Sequence, residues 1–184
     1  MQTQMAKVDV ICQWAMQMVS TYRGAVSPER LGVVFDIDDT LLSSKDGSPR
    51  ERVTALYRHC VHNGIRVFIV TARPESARAA TVTELEQAGI VSSAGGSQGY
   101  EWLAMMPDEY DVQNVPFYKL AERRAVAAEL GALGILIMSV GDQWWDIVGS
   151  DLRIEEMEKM YPVHQPRVVA ALPPQEPAVI GVMV

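Results

Sequence analysis

Val33-Val34-Phe35-Asp36-Ile37-Asp38-Asp39-Thr40-Leu41-Leu42 passes from a short apolar run into three carboxylates within four residues, then into a threonine and two leucines. An apolar run of this length, rich in Val and Phe, reads as a strand buried on both faces. Carboxylates at its C-terminal end then fall at the sheet edge where open α/β folds place their ligands. Like charges this close repel and raise one another's pKa. A divalent cation would neutralise them, and an all-oxygen donor set suits a hard ion such as Mg²⁺. A single Asp would serve a turn that caps the next helix. Three of them directly after a buried strand point to a metal or phosphoryl site.

Two more runs of the same kind follow, Arg66–Thr71 and Gly134–Val140. Helical patterns lie between and around the three. Val8, Ile11, Ala15, Met18, Val19 and Tyr22 form one apolar stripe over residues 3–23. Ser48 and Pro49 read as the N-cap and first turn of a helix running to Asn63-Gly64. Ala72 to Ser76 turns into a helix that reaches Gln87, and a further helix spans Tyr118–Leu130. Residues 90–117 read as irregular, with Gly95, Gly96 and Gly99, and residues 91–117 as a possible small flap. A short helix, Leu152–Met160, a Pro-rich tail and a last strand within Ala178–Val184 close the chain. Strands alternating with helices predict an α/β fold with a doubly wound, mostly parallel, Rossmann-like sheet. The expected organisation is one domain over 1–184: an N-terminal helical segment 1–30, a core 31–150, and a C-terminal helix and tail 151–184.

The 184 residues suffice for one domain with a good core, and the net charge is −7. That charge advertises no broad nucleic-acid footprint, although it leaves a local basic groove open. Cys12 and Cys60 are the only cysteines and read as buried thiols in a reducing compartment. No apolar stretch approaches the ~20 residues of a membrane span, and no signal-peptide pattern opens the chain. The expectation is a soluble cytoplasmic protein without a membrane partner; self-association stays open. His59, His62 and His164 have no ligand spacing. Of the adjacent Trp144 and Trp145, one is expected in the core and the other beside the site.

A parallel sheet brings the ends of the three runs, Asp36, Thr71 and Asp142, to one edge, and Lys119 opens the helix before the last of them. Carboxylates, a hydroxyl and an ammonium are what phosphoryl transfer requires. The pattern resembles phosphatases of the haloacid dehalogenase (HAD) superfamily. Asp36-Ile37-Asp38-Asp39-Thr40 matches its first motif, Thr71 its second, Lys119 its third, and Gly141, Asp142 and Asp146 its fourth. All four occur in order across about residues 31–150, and Gly-Asp-Gln-Trp-Trp-Asp looks most like the acid phosphatase branch with minimal cap.

The resemblance implies a Mg²⁺-dependent phosphomonoester hydrolase. Asp36 would be the nucleophile that forms an aspartyl-phosphate, and Asp38 the general acid and base. Asp36, the Asp38 carbonyl and Asp142 would hold the metal, with Asp146 supporting it. Thr71 and Lys119 would bind phosphoryl oxygens, and Thr40 would orient Asp38. Arg73, read from the residues alone, either grips a substrate phosphate or faces solvent. About thirty residues separate Thr40 from Thr71, which leaves little room for a lid, so the phosphorylated substrate could be small or large. A dehalogenase is disfavoured by Asp38. A polynucleotide-end or phosphoprotein phosphatase, and a non-catalytic binding protein on a phosphatase fold, are the alternative readings.

Overall fold

The computed structural model describes residues 2–94, 98–147, 167–169 and 180–184. The expected helix Leu152–Met160, the Pro-rich tail, His164, Gly95 and Gly96 lie outside the described residues.

Six strands form one sheet: β1 Leu31–Phe35, β2 Arg66–Pro74, β3 Tyr100–Met106, β4 Ile135–Gly141, β5 Arg167–Val169 and β6 Ile180–Met183. Their spatial order is β3-β2-β1-β4-β6-β5. β3, β2, β1, β4 and β6 run parallel, and β5 pairs antiparallel with β6. The described helices are α1 Gln2–Ala25, α2 Glu51–His62, α3 Arg78–Gln87 and α4 Val115–Glu129. This is the doubly wound α/β architecture that the alternating pattern predicts.

The two-residue period of a strand explains why its runs are unbroken. Val33, Phe35, Val67 and Ile69 pack on one face with Ile11, Ala15 and Val19 of α1, Leu56, Tyr57 and Cys60 of α2, and Leu85 of α3. Val34, Phe68 and Val70 pack on the other with Val115, Tyr118 and Val126 of α4 and with Leu130, which follows it. With both faces covered, the central strands are apolar over most of their length, and the buried hydroxyls of Thr71 and Ser139 are hydrogen-bonded. The six-residue stripe of α1 all joins the first of these clusters. Cys12 and Cys60 are free buried thiols, as expected, and burial pushes the Cys60 thiol up to about 12. Trp144 is in the core, and Trp145 packs against the same cluster.

Several boundaries depart from the expectation. α2 does not start on Ser48-Pro49. Pro49 forms a bridge with Leu42 and the Arg50 N–H donates to the Leu41 carbonyl, so the chain stays extended until Glu51. Ser48 Oγ turns instead to Asp46, at 2.6 Å. β2 runs on to Pro74, and one 3₁₀ turn, Glu75–Ala77, precedes α3. α4 begins at Val115, with Pro116 in a first turn that needs no amide donor there. The stretch read as irregular or as a flap contains β3, an edge strand of the sheet. Its Glu101 is tolerated because Arg66 on β2 meets it at 2.8 Å. Its approach needs Gly99, where a Cβ would fall 2.0 Å from the Val91 carbonyl oxygen. Among the described residues no helix is long and apolar enough to cross a membrane.

Phe35 is fully buried at the end of β1, its ring edge-on to Tyr57 with centroids 5.8 Å apart. Phe35→Ala should cost about 3–5 kcal/mol, measured as a lowered urea midpoint, and it should do so with or without a phosphate ligand present.

Candidate active site

The winding of the sheet reverses at β1. The chain crosses from β1 to β2 on one side, and β4 lies on the other. The carboxyl ends of these strands therefore frame a crevice. Asp36 follows β1, Thr71 lies in the last part of β2, Asp142 follows β4, and Lys119 stands in the second turn of α4.

Lys119 is 2% exposed. Its ammonium donates to Asp36 Oδ1 and to the Val70 carbonyl at 2.7 Å, and lies 2.7 Å from Asp146 Oδ1. Two hydrogen bonds and one ion pair thus meet its charge. It is not a solvated helix residue. Burial alone would lower its pKa, but Asp146 and Asp36 outweigh that and hold it above the ordinary value. Burial pushes Asp36 well above the usual carboxylate range. Lys119 pulls it back and Asp146 adds to the rise. Asp142 is pushed up to about 6, first by burial and then by Asp146, with the Gln143 amide partly offsetting them at 2.6 Å.

Asp146 is held from three directions. Its Oδ2 accepts from the Gln143 N–H at 3.1 Å, its main-chain carbonyl accepts from Ser139 Oγ, and its Oδ1 faces Lys119. It can approach β4 only because residue 141 is glycine. A Cβ there would fall 2.1 Å from Asp146 Cβ. The Gly-Asp pair and the acidic residue four positions on thus form one packing unit.

Carboxylate oxygens of Asp36, Asp142 and Asp146 lie within 4.8 Å of one another. Three carboxylates and one ammonium leave two net negative charges, so the donor set fits a divalent ion with oxygen preference. The Asp38 side chain is outside this triad. Arg73 holds it, with Nη2 donating to Oδ1 at 2.8 Å and Nε to Oδ2 at 3.0 Å. Arg73 neither faces solvent nor stands free for a phosphate. It spends its other edge on Glu84, at 2.7 Å, and Thr81, at 3.3 Å. Thr71 is fully buried and its Oγ1 accepts the Arg73 main-chain N–H at 3.2 Å. Thr40 is also fully buried and makes no hydrogen bond to Asp38; the expectation that it orients Asp38 is not met by a direct contact.

Two features here escape a reading of motifs. Asp39 takes a left-handed backbone (φ 53°), a conformation a non-glycine residue keeps only when its surroundings impose it. Arg50 does so by donating to the Asp39 carbonyl at 2.8 Å, and Ser44 Oγ donates to its carboxylate at 2.6 Å. At this turn Asp36 is buried and Asp38 is half-buried. The second feature is Glu84, which no motif marks.

A family model described as "HAD superfamily, subfamily IIIB (Acid phosphatase)" matches residues 44–169. The chain belongs to this family, and it is a phosphatase acting on phosphomonoesters. Among solved structures, the class C acid phosphatase from Bacillus anthracis is similar at TM-score 0.50 and 11% identity, over 78% of this chain and 70% of that one. That likeness supports the fold. No curated protein matches the chain.

The raised carboxylates give a pH dependence of stability with a definite sign. A carboxyl whose pKa is higher folded than unfolded binds more protons in the native state, so stability rises as pH falls through the folded value toward the unfolded one. For Asp142 that window runs from about 6 down to about 4. Protein stripped with chelator should gain about 1 kcal/mol between pH 7 and pH 5, read as a rising urea midpoint. Asp142→Asn should flatten that rise.

Proposed function

We propose that this phosphatase works through an aspartyl-phosphate on Asp36 and depends on Mg²⁺. The observation that carries the reading is the cluster of buried Asp36 and Asp146 with half-buried Asp142, closed on one side by Lys119. In the first step an Asp36 oxygen attacks phosphorus and the bond to the leaving oxygen breaks. The leaving oxygen takes the electron pair and a proton from the Asp38 carboxyl. In the second, water attacks the phosphorus, its proton passes to Asp38, and the bond to Asp36 breaks to release phosphate. Thr71 would donate to an equatorial oxygen. Lys119, already engaged by Asp36, Val70 and Asp146, would act as a fixed positive charge beside the phosphoryl group that partly offsets the burial raising the Asp36 pKa. Asp36, Asp142 and the Asp38 carbonyl would hold Mg²⁺, which when bound supplies charge for the phosphoryl oxygens. Both Asp146 oxygens already have protein partners, so its part is to hold Lys119 and add charge.

The substrate reading is a phosphorylated molecule of unrestricted size, because no lid covers the crevice among the described residues. A polar cleft of about 340 Å³, lined by Ser43, Ser44, Lys45, Arg73, Glu84 and Gln87 among others, runs alongside and suits a leaving group. Its lining includes no aromatic ring on which a nucleobase could stack.

Asp36→Asn should retain the fold and lose turnover, since the amide is nearly isosteric and is no nucleophile; a near wild-type kcat would exclude the covalent route. Exhaustive EDTA treatment should abolish hydrolysis of a generic phosphate ester and Mg²⁺ should restore it, whereas full activity under chelation would exclude the metal.

Lys119→Met should lower kcat/KM at least about a hundredfold. It should also destabilise the fold by about 3–5 kcal/mol, because it strands buried carboxylates. Urea unfolding and steady-state kinetics check both halves.

A further inference from the structure

We infer that Glu84 is a positioning residue for catalysis: through Arg73 it holds the Asp38 carboxyl in the orientation from which it protonates the leaving group. The inference rests on Asp38 being the general acid.

The geometry is a fork with two edges. One edge of the Arg73 guanidinium, Nε and Nη2, holds both oxygens of Asp38. The third nitrogen, Nη1, is pinned to Glu84 Oε2 and Thr81 Oγ1. Thr81 and Glu84 lie three residues apart, on one face of α3, and Leu85 beside them is fully buried in the core. α3 is thus a fixed post, Arg73 an arm, and Asp38 what the arm carries. Asp38 needs such an arm. Its side chain is 41% exposed, and neither Thr40 nor the Lys119 cluster touches it. An exposed carboxylate without a fixed partner rotates freely, and catalytic groups must sit close to productive geometry to be effective.

The role is not one of stability. Glu84 is 43% exposed, and ion pairs with that much solvent contribute little. Deleting its charge should therefore leave the fold intact and show up in chemistry. Glu84 also lines the cleft beside the site, so a mere contact with the leaving group must be separated from an effect on Asp38.

A graded series of substituted phenyl phosphates, from p-nitrophenyl to unsubstituted phenyl, makes that separation. Shape is nearly constant while the need for a proton rises. The quantity read is kcat/KM, which covers steps only through phosphoenzyme formation and so leaves out the general-base step. Asp38→Asn should lose most on phenyl phosphate and least on p-nitrophenyl phosphate, and that arm tests the general-acid role itself. Glu84→Gln should follow the same trend less steeply: within about twofold of wild type on p-nitrophenyl phosphate and about tenfold lower on phenyl phosphate. Arg73→Lys, which keeps the charge but not the fork, should fall between Glu84→Gln and Asp38→Asn. A Glu84→Gln loss that is equal along the series, or absent, with Asp38→Asn still steep, overturns the positioning role alone. A flat Asp38→Asn series overturns the general-acid reading and the inference with it.

Discussion

A lysine with almost no solvent exposure is tolerable only if its charge is met, and Lys119 meets two carboxylates and a carbonyl. Desolvating an ammonium costs several kcal/mol, and the Coulombic return repays it only when geometry is good and every proton is used. Here two hydrogen bonds and the ion pair to Asp146 meet the charge. Other features of the crevice follow from that constraint. Asp36 must turn inward from β1, so the Asp36–Thr40 turn takes a left-handed residue at Asp39, locked by Arg50 and Ser44. Asp146 must reach back over β4, so residue 141 must lack a Cβ. The Val70 carbonyl must turn from β2 toward Lys119, one residue before Thr71.

The same arrangement stores a conflict. Three carboxylates share one ammonium, and burial holds Asp36 and Asp142 above the ordinary carboxylate range. A fold optimised for stability alone would replace one of them with an amide or an apolar residue. Keeping all three beside one ammonium leaves two net negative charges, a balance that only a bound cation would restore, since the phosphoryl group of a substrate is itself anionic. The cost is borne by the sheet and its two apolar layers, where Phe35, Val34 and their neighbours are fully packed.

What could be read in the sequence follows from this division of labour. Central strands covered on both faces are apolar over most of their length, so β1, most of β2 and β4 stand out as runs, and charged residues at their ends stand out against them. Asp36 and Asp142 were legible for that reason, Lys119 and Asp146 only through the motif resemblance, and the structure brings the four together. β3 was not. An edge strand may carry Glu101 and Ala104, both poor strand formers, because half its constraint comes from a cross-strand partner that sequence order hides. The start of α2 was misread because Ser48 and Pro49 have the chemistry of a helix start, while a bridge to Leu42 keeps them extended. The pairing of Arg73 with Asp38 and Glu84 depends on where β2 ends and how α3 is rotated. Neither is written in local residue types, so Arg73 looked like a phosphate ligand or a solvated side chain.

The central claim is that the Asp36 carboxyl, held by Lys119, is the group that takes the phosphoryl from substrate. Rapid acid quench during turnover, borohydride reduction of the trapped acyl phosphate, and peptide mass spectrometry test it most directly. Reduction of an aspartyl-phosphate yields homoserine at the modified position. The account predicts homoserine at residue 36, dependent on substrate. Homoserine at another aspartate, or none while turnover proceeds under the same conditions, would contradict it.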